Sequence, residues 1–148
     1  MLRILNSQQG KREEVKRERA SIFQDTLLSG WFDSSENELF KGFPILSEDV
    51  VLDVGCGDSP FLSFCAERGA EIIFADIDEG NVEATFNKLK DSNARSLIPI
   101  VSDANPLPIE DAVASKIIAM EVIEHVDDTT SFLSELVRVG RPGALYLL

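Results

Sequence analysis

From residue 50 onward, short apolar runs alternate with segments whose apolar residues recur every three or four positions. The runs are rich in β-branched and aromatic residues, which is typical of buried strands. They read VVLDV, EIIFA, LIPIV, KIIAM and ALYLL, and they predict strands over residues 50–54, 71–75, 97–101, 116–120 and 144–148.

Three segments between these runs have apolar residues at helical spacing. The first begins with cap residues at 58–60, where Pro60 takes the first helical position, and it ends at Gly69. The second covers residues 79–90, and the third is capped by Thr129 or Thr130. The apolar face and stop signals of the third are Phe132, Leu133, Leu136, Val137, Gly140 and Pro142. Strands separated by helices predict a doubly wound α/β fold with a mostly parallel sheet, which binds ligands at the carboxyl ends of its strands.

The N-terminal part of the chain has a pattern of its own. Apolar residues at roughly helical spacing predict one amphipathic helix over residues 11–32: Val15, Ile22, Phe23, Leu27 and Trp31. Two roles are open for this helix, which are covering a flank of the core and closing over a ligand site as a lid. We therefore divide the chain into a helical cap or lid segment, residues 1–44, and a main domain, residues 45–148.

Composition and charge narrow the class of protein. The 148 residues are enough for one domain, and no apolar run is long enough to span a bilayer. The cysteines, Cys56 and Cys65, have neither metal-site nor redox-motif spacing, which favours a reduced, cytoplasmic setting. Residues 1–19 have a formal charge of +3 and the remaining residues −15, so the body repels nucleic acid and tolerates a cationic ligand.

The stretch VVLDVGCGDSP has an acid, Asp53, near the end of the first strand and two glycines directly after that strand. Gly55 and Gly57 let the backbone turn sharply and approach a ligand closely. A dinucleotide site has a third glycine, in G-x-G-x-x-G, and binds a pyrophosphate. Here that position is Pro60, which has no N–H, and Asp53 would repel an anion. The pattern therefore disfavours NAD and favours a ligand with a positive group.

Acids also follow the next three predicted strands, at Asp76, Asp103 and Glu121. Any one of them alone is consistent with a plain surface residue. Because the carboxyl ends of parallel strands meet at one edge of a sheet, all four acids are expected near one ligand site. Asp76 is placed to accept hydrogen bonds from ribose hydroxyls, and Asp103 to accept from an exocyclic amine or another donor.

Together these segments resemble class I S-adenosylmethionine-dependent methyltransferases over about residues 45–148. The segments that carry the resemblance are VLDVGCGDSP, FADIDEGNVEA, SDANPLPIED, AMEVIEHVDD and LVRVGRPGALYLL, in this order. The resemblance implies a Rossmann-like methyltransferase fold, S-adenosylmethionine as the cofactor and methyl transfer as the activity. The E-x-x-E-H part is similar to that of ubiquinone-biosynthesis methyltransferases.

The resemblance also implies roles for the residues around the glycine loop. Gly55 and Gly57 would lie under the methionine part of the cofactor. Asp53 would fix the loop and help to hold the ammonium group, directly or through water. Asp76 would bind the ribose diol.

Further along the chain, the resemblance implies that Asp103 and the Ala104 amide read the adenine edge. Glu121 and its backbone would line the wall near the sulfonium. The complete cofactor-binding set is Asp53, Gly55, Cys56, Gly57, Asp76, Ile77, Asp103, Ala104 and Glu121.

The chain departs from the family pattern in two places. Ser59 stands where the family often has a third glycine, and a small helix-capping residue is expected to do little damage there. The family sheet usually continues past the fifth strand with two more strands, which are missing from this sequence. We therefore expect a shortened chain, or one that a partner completes, and the exposed edge of the fifth strand is a candidate homodimer interface.

Methyl transfer is an in-line displacement that needs proximity and orientation and no nucleophilic side chain. His125, the single histidine, is the candidate general base for a hydroxyl acceptor, and the alternative is that it packs or caps a turn. Glu121, Glu124 and His125 form E-x-x-E-H, which in a helical turn would share one face as a divalent-metal set. We expect no metal, because similar RNA methyltransferases use a further histidine.

The motif that amino-methylating DNA and protein-glutamine enzymes have after strand four is replaced here by MEVIEH. We therefore expect a small-molecule acceptor, with O-methylation favoured. One alternative is a noncatalytic member of the same fold that binds the cofactor or a partner. The other is a nucleotide-dependent oxidoreductase. The intact cofactor residues count against the first alternative, and the absent third glycine counts against the second.

Overall fold

The computed structural model describes residues 37–148. The helix predicted for residues 11–32 lies outside these residues, as does most of the predicted lid segment. None of the helices within the described range is both long and apolar enough to cross a membrane.

A small antiparallel hairpin precedes the main domain and consists of β1 (Glu38–Phe40) and β2 (Phe43–Pro44). No strand was predicted for residues 38–44, so the hairpin is an addition to the predicted elements. The main strands are β3 (Val50–Val54), β4 (Glu71–Asp76), β5 (Ser96–Val101), β6 (Ala114–Ile118) and β7 (Gly140–Leu147). They form one parallel sheet in the order β5-β4-β3-β6-β7. The chain thus winds outward from β3 in both directions, as the doubly wound prediction requires.

Within residues 37–148, three α-helices cover this sheet: α1 (Phe61–Glu67), α2 (Glu79–Leu89) and α3 (Thr129–Val139). Alternate residues of β3 serve opposite faces, because side chains along a strand point to alternate sides. Val51 belongs to an apolar cluster with the hairpin, α1 and α2, and Leu52 belongs to a second cluster with α3. All five residues of β3 are buried. Burial on both faces explains why VVLDV is an almost continuous apolar run.

The boundaries of β6 and β7 differ most from the predicted ones, whereas β4 and β5 are each one residue longer than predicted. β6 ends at Ile118 rather than at residue 120, so Glu121 lies three residues beyond the strand. β7 begins at Gly140, so Gly140 and Pro142 both lie in the strand that follows α3. Proline is tolerated in β7 because β7 is the edge strand of the described sheet.

The helix ends also differ in detail. Asp128, rather than Thr129 or Thr130, caps α3, and its side chain accepts a hydrogen bond from the Ser131 N–H at 3.0 Å. Pro60 takes the cap position of α1 without a side-chain cap bond, so the helix begins one residue later than predicted.

The buried face of α3 is rotated from the predicted one. Phe132, Leu136 and Val139 are buried, whereas the side chain of Val137 is 65% exposed. Val137 therefore does not lie on the core face as predicted, and Leu133 is only half-buried.

Candidate functional site

The glycine loop leaves β3 with a sharp turn. Gly55 and Gly57 both have positive φ, at 71° and 42°, which only glycine adopts at little cost. The amides of Gly55 and Cys56 both donate to the carbonyl oxygen of Ala75, at 2.8 and 3.0 Å. A Cβ on Gly55 would lie 2.5 Å from Cγ2 of Val122. The space beside Gly55 is therefore filled by a side chain from the loop after β6, and glycine is required there for packing as well as for conformation.

Asp53 lies in β3 with only 2% of its surface exposed. Within the described residues, neither its Oδ2 atom nor the buried Oγ atom of Ser59 has a hydrogen-bond partner. Burial raises the pKa of Asp53 from 3.8 to about 7; Ser59 lowers it in part, and the charge of Asp76 raises it further. The site thus contains a desolvated carboxyl group that the nearby Ser59 compensates only in part.

Asp76 is the last residue of β4 and is 92% buried. Its Oδ2 accepts from the Gly57 amide at 2.9 Å, and its Oδ1 accepts from the Asp78 amide at 2.9 Å and from Asn81 Nδ2 at 3.2 Å. The structure therefore brings Asp76 and the glycine loop together. The same carboxylate that was predicted to bind a ribose diol also positions the loop.

Two residues of α2 contribute to this region and were not predicted. Asn81 binds Asp76, and Thr85 donates its hydroxyl to the Gly57 carbonyl oxygen at 3.0 Å. They are four residues apart and so lie on one face of the helix. That spacing, in the helix directly after an acid-terminated strand, is the sequence signal that could have identified them.

Cys56 and Ile77 differ in their surroundings. Cys56 is buried, with its Sγ 3.9 Å from Oγ1 of Thr85, and burial, aided by the charge of Asp53, raises the pKa of its thiol to about 12. The thiol therefore stays protonated at neutral pH and is no nucleophile. Ile77 directly follows Asp76 and is 75% exposed at the carboxyl edge of the sheet. An exposed aliphatic side chain at that position offers an apolar surface to a ligand.

Asp103 and Ala104 lie in the loop after β5, near Asp76. The Ser102 amide donates to the Asp76 carbonyl oxygen at 2.9 Å, which places the start of the loop beside β4. Asp103 is exposed, and its Oδ1 accepts from the Asn105 amide at 3.1 Å. Ala104 is buried with a φ of 61°, and its amide donates to Ser102 Oγ at 3.0 Å. A ligand that uses the Ala104 amide must share it with Ser102.

The segment after β6 does not form a helical turn that includes Glu121. Glu121 has a φ of 57°, and the 3₁₀ turn covers only Ile123–His125. Glu121 therefore does not share a helical face with Glu124 and His125, which is the arrangement that a metal set of these three residues would need. His125 is 70% exposed, with Nε2 4.0 Å from Glu124 Oε1. The described part of the chain contains no cluster of three acid, histidine or cysteine side chains that could hold a metal ion.

A shallow hollow lies apart from these residues, between α3 and residues 106–110. Its volume is about 540 Å³, and none of the predicted site residues lines it. The candidate site is therefore the carboxyl edge around Asp53, the glycine loop and Asp76.

Comparison with known proteins identifies the family. A family model for the methyltransferase domain matches residues 52–148, which is more than half of the chain. The chain belongs to this methyltransferase family. The predicted family is thereby confirmed, and the matched region begins within β3 and contains the whole candidate site.

Curated relatives of this methyltransferase agree with the family. A probable S-adenosylmethionine-dependent methyltransferase of Mycolicibacterium smegmatis is 31% identical over 102 residues, which are 66% of this chain and 36% of that protein. A ubiquinone biosynthesis O-methyltransferase of Mesorhizobium japonicum is 31% identical over 96 residues, which are 64% of this chain and 38% of that protein. The chain thus spans well under half the length of these relatives.

Solved structures agree with the fold of this methyltransferase. An S-adenosylmethionine-dependent methyltransferase from Aquifex aeolicus has a TM-score of 0.59 at 26% identity, covering 69% of this chain and 56% of that one. The YcgJ protein of Bacillus subtilis has a TM-score of 0.62 at 22% identity, covering 72% and 45%, and shows likeness of fold alone. The predicted Rossmann-like methyltransferase fold is confirmed.

Proposed function

We propose that the chain binds S-adenosylmethionine at the carboxyl edge of its sheet, as the cofactor-binding part of a methyltransferase that acts on a small molecule. The observation that carries the proposal is the pair of buried oxygens without partners, Asp53 Oδ2 and Ser59 Oγ. Buried polar atoms without partners are costly, so they point to a ligand that donates. An ammonium group has three donors and a positive charge, and it fits an acidic oxygen and a hydroxyl oxygen together.

The other predicted residues are assigned to the rest of the cofactor by position. Asp76 accepts from the ribose diol with the lone pair that the Gly57, Asp78 and Asn81 donors leave free. Ile77 packs against the adenine ring, and Asp103 with Ala104 contacts the adenine edge. Glu121 lines the wall near the sulfonium. The bound cofactor supplies an activated methyl group, while these residues bind it, orient it and exclude water.

We propose an oxygen atom of a small molecule as the methyl acceptor. Support comes from relatives whose names specify O-methyl transfer in ubiquinone biosynthesis, including one of Rhizobium rhizogenes that is 34% identical over 95 residues. His125, which is exposed after β6, is the proposed base for the hydroxyl proton. The strongly acidic body disfavours nucleic acid as the acceptor.

Two further parts of the proposal concern the setting of the protein. We propose the cytoplasm as its location. We also propose that two copies associate through the edge of β7, where Leu145 and Tyr146 are 37% and 38% exposed.

Calorimetric titration with S-adenosylmethionine tests the proposed function. The wild-type chain is expected to bind, and Asp53→Asn is expected to weaken binding about tenfold or more, because the ammonium loses its counter-charge. Asp58→Asn is the matched control. Asp58 lies in the same loop, but its side chain is 87% exposed and only 3.7 Å from Lys88 Nζ. Binding of NAD in place of S-adenosylmethionine, or equal affinity of wild type and Asp53→Asn, would contradict the proposal.

A noncatalytic cofactor-binding protein is the second candidate function. The exposure of His125 favours it, because a general base usually acts from a site that excludes water. A panel of phenols and aliphatic alcohols, incubated with the chain and S-adenosylmethionine labelled in its methyl group, separates the two. Labelled product supports the enzyme, whereas tight binding without labelled product from any acceptor supports the second candidate.

A further inference from the structure

The loop between β5 and β6 contains the proposed adenine-reading residues at its start. Its first turn is held locally, since Ala104 N–H donates to Ser102 Oγ and Asn105 N–H donates to Asp103 Oδ1. These bonds join neighbours two residues apart, so they shape the turn. The Ser102 amide anchors the start of the loop to β4 through the Asp76 carbonyl oxygen. The far side of the turn needs anchors further along the chain.

Two side chains of α3 supply the long-range bonds. Leu107 N–H donates to Glu135 Oε1 at 2.6 Å. Arg138 donates from Nη2 to the Leu107 carbonyl oxygen at 3.1 Å and from Nη1 to the Ile109 carbonyl oxygen at 2.8 Å. Within residues 37–148, every hydrogen bond that joins residues 103–111 to another element runs to Glu135 or Arg138.

Glu135 and Arg138 also hold each other. Arg138 Nε donates to Glu135 Oε2 at 2.8 Å, and Nη1 donates to Asp111 Oδ1 at 2.7 Å. The guanidinium beside Glu135 holds the pKa of that carboxyl below its usual range. The Glu135 side chain is 12% exposed and that of Arg138 is 31% exposed. The pair is therefore a charged, partly buried clamp whose fork geometry fixes three points of the loop.

We infer that Glu135 and Arg138 are positioning residues that set the purine selectivity of the cofactor site, and this inference rests on the proposed function. A carboxylate accepts hydrogen bonds and donates none, so Asp103 selects a base with an amino group over one with a carbonyl group at the same position. That selection requires Asp103 and Ala104 to be held at the base edge. The clamp holds them there through Leu107, three residues beyond Ala104.

The base selectivity of binding tests this inference. The probes are S-adenosylhomocysteine and S-inosylhomocysteine, which differ in whether an amino or a carbonyl group is present on the purine. The full chain is expected to prefer the adenine compound by about tenfold or more. Arg138→Met removes the clamp's donors but keeps an apolar stem, and it is expected to bring the two affinities to within about threefold of each other. Arg138→Met is expected to lose affinity mainly for S-adenosylhomocysteine, and little for S-inosylhomocysteine.

Two further variants keep the result interpretable. Arg141→Met removes the same charge from an exposed residue in β7 and is expected to keep the wild-type preference. Arg138→Lys keeps the charge but not the fork, so it is expected to lose most of the preference even if Arg138→Met fails to fold. Circular dichroism before each titration establishes that the variant is folded.

The possible results distinguish a failure of the inference about Glu135 and Arg138 from a failure of the proposed cofactor binding. If the Arg138 variants weaken both compounds by the same factor, the clamp supports stability alone and the inference is overturned. Equal affinity of the wild-type chain for both compounds overturns it as well, although cofactor binding itself then stands. If the wild-type chain binds neither compound, the proposed function fails, and the inference fails with it.

Discussion

Two buried aspartates lie four residues apart, at opposite ends of the same strand. Asp49 directly precedes β3 and is 6% exposed, and Asp53 lies near its carboxyl end and is 2% exposed. Asp49 Oδ2 accepts from the Leu46 amide at 2.8 Å, and its Oδ1 accepts from the Ser115 hydroxyl at 2.7 Å. Lys116 Nζ lies 3.4 Å from the same Oδ1.

Asp53 has no comparable set of partners, and the nearby Ser59 offsets the effect of its burial only in part. Its Oδ2 has no partner among the described residues, and no basic side chain is paired with it there. A buried acid costs stability unless it is paired and hydrogen-bonded. The amino end of β3 therefore has an acid that holds elements together, and the carboxyl end has an acid that lacks such partners. On the proposed function, stability is the role of the first acid and ligand binding the role of the second.

The largest expected loss of stability comes from removing Asp49, the buried acid that has partners. Asp49→Ala should lower the free energy of unfolding by about 3 kcal/mol or more. Lys116, whose side chain is only 12% exposed, would keep a buried charge without a partner, and the Leu46 amide would lose its acceptor. Urea unfolding followed by circular dichroism measures the change.

Glu48→Ala is the control for this first prediction. Glu48 is exposed next to Asp49 and should change the free energy of unfolding by less than about 0.5 kcal/mol. A loss below about 1 kcal/mol in Asp49→Ala would contradict the structural role of that acid.

Removing the charge of Asp53 should raise the free energy of unfolding, whereas removing Asp49 should lower it. Asp53 has a folded pKa of about 7, above its ordinary value of 3.8, so its cost is absent below about pH 4 and complete above about pH 7. Asp53→Asn should therefore raise the free energy of unfolding by up to about 4 kcal/mol at pH 8 and by almost nothing at pH 4.

Urea unfolding of wild type and Asp53→Asn at both pH values tests this second prediction. Asp58→Asn serves as the exposed comparison in the same loop. An equal loss of stability at pH 4 and pH 8 would mean that the Asp53 carboxyl group makes a contact that the protein needs in order to fold.

Binding should couple to the same carboxyl group. At pH 6 most Asp53 is protonated in the free protein, and an ammonium placed beside it favours the ionised form. Cofactor binding should release roughly half to one proton at pH 6, and affinity should increase from about pH 5.5 to 7.5. Calorimetry in two buffers with different ionisation enthalpies counts the protons. The release should disappear in Asp53→Asn, and an unchanged release in that variant would assign the proton to another group.

Much of the fold could be predicted because burial leaves a strong pattern. β3 and β4 are buried on both faces, so they appear in the sequence as continuous apolar runs with clear ends. The edge strand β7 could not be delimited in this way. It extends through Gly140 and Pro142, which local rules assign to the end of a helix, because pairing with β6 outweighs those local preferences.

The candidate site could be predicted only as a set of positions. Parallel topology places the strand ends together, and this located Asp53 and Asp76 at one edge. Contacts between segments distant in sequence were not predictable from local pattern. The filling of the space beside Gly55 by Val122 and the binding of the Gly57 amide by Asp76 both depend on loop paths that only the folded chain shows.

The smallest effect is expected for His125. This residue lies after β6, at the same edge of the sheet as Asp53, but unlike Asp53 it is not buried. Its side chain is 70% exposed, and its recorded ion-pair partner is Glu124 at 4.0 Å. His125→Gln should change the free energy of unfolding by less than about 0.5 kcal/mol and cofactor affinity by less than about twofold. Chemical unfolding and calorimetric titration check both values. A decrease of about tenfold in cofactor affinity would mean that His125 contacts the cofactor. In that case Asp53 would not be the only ionisable group at that edge that binds the ligand.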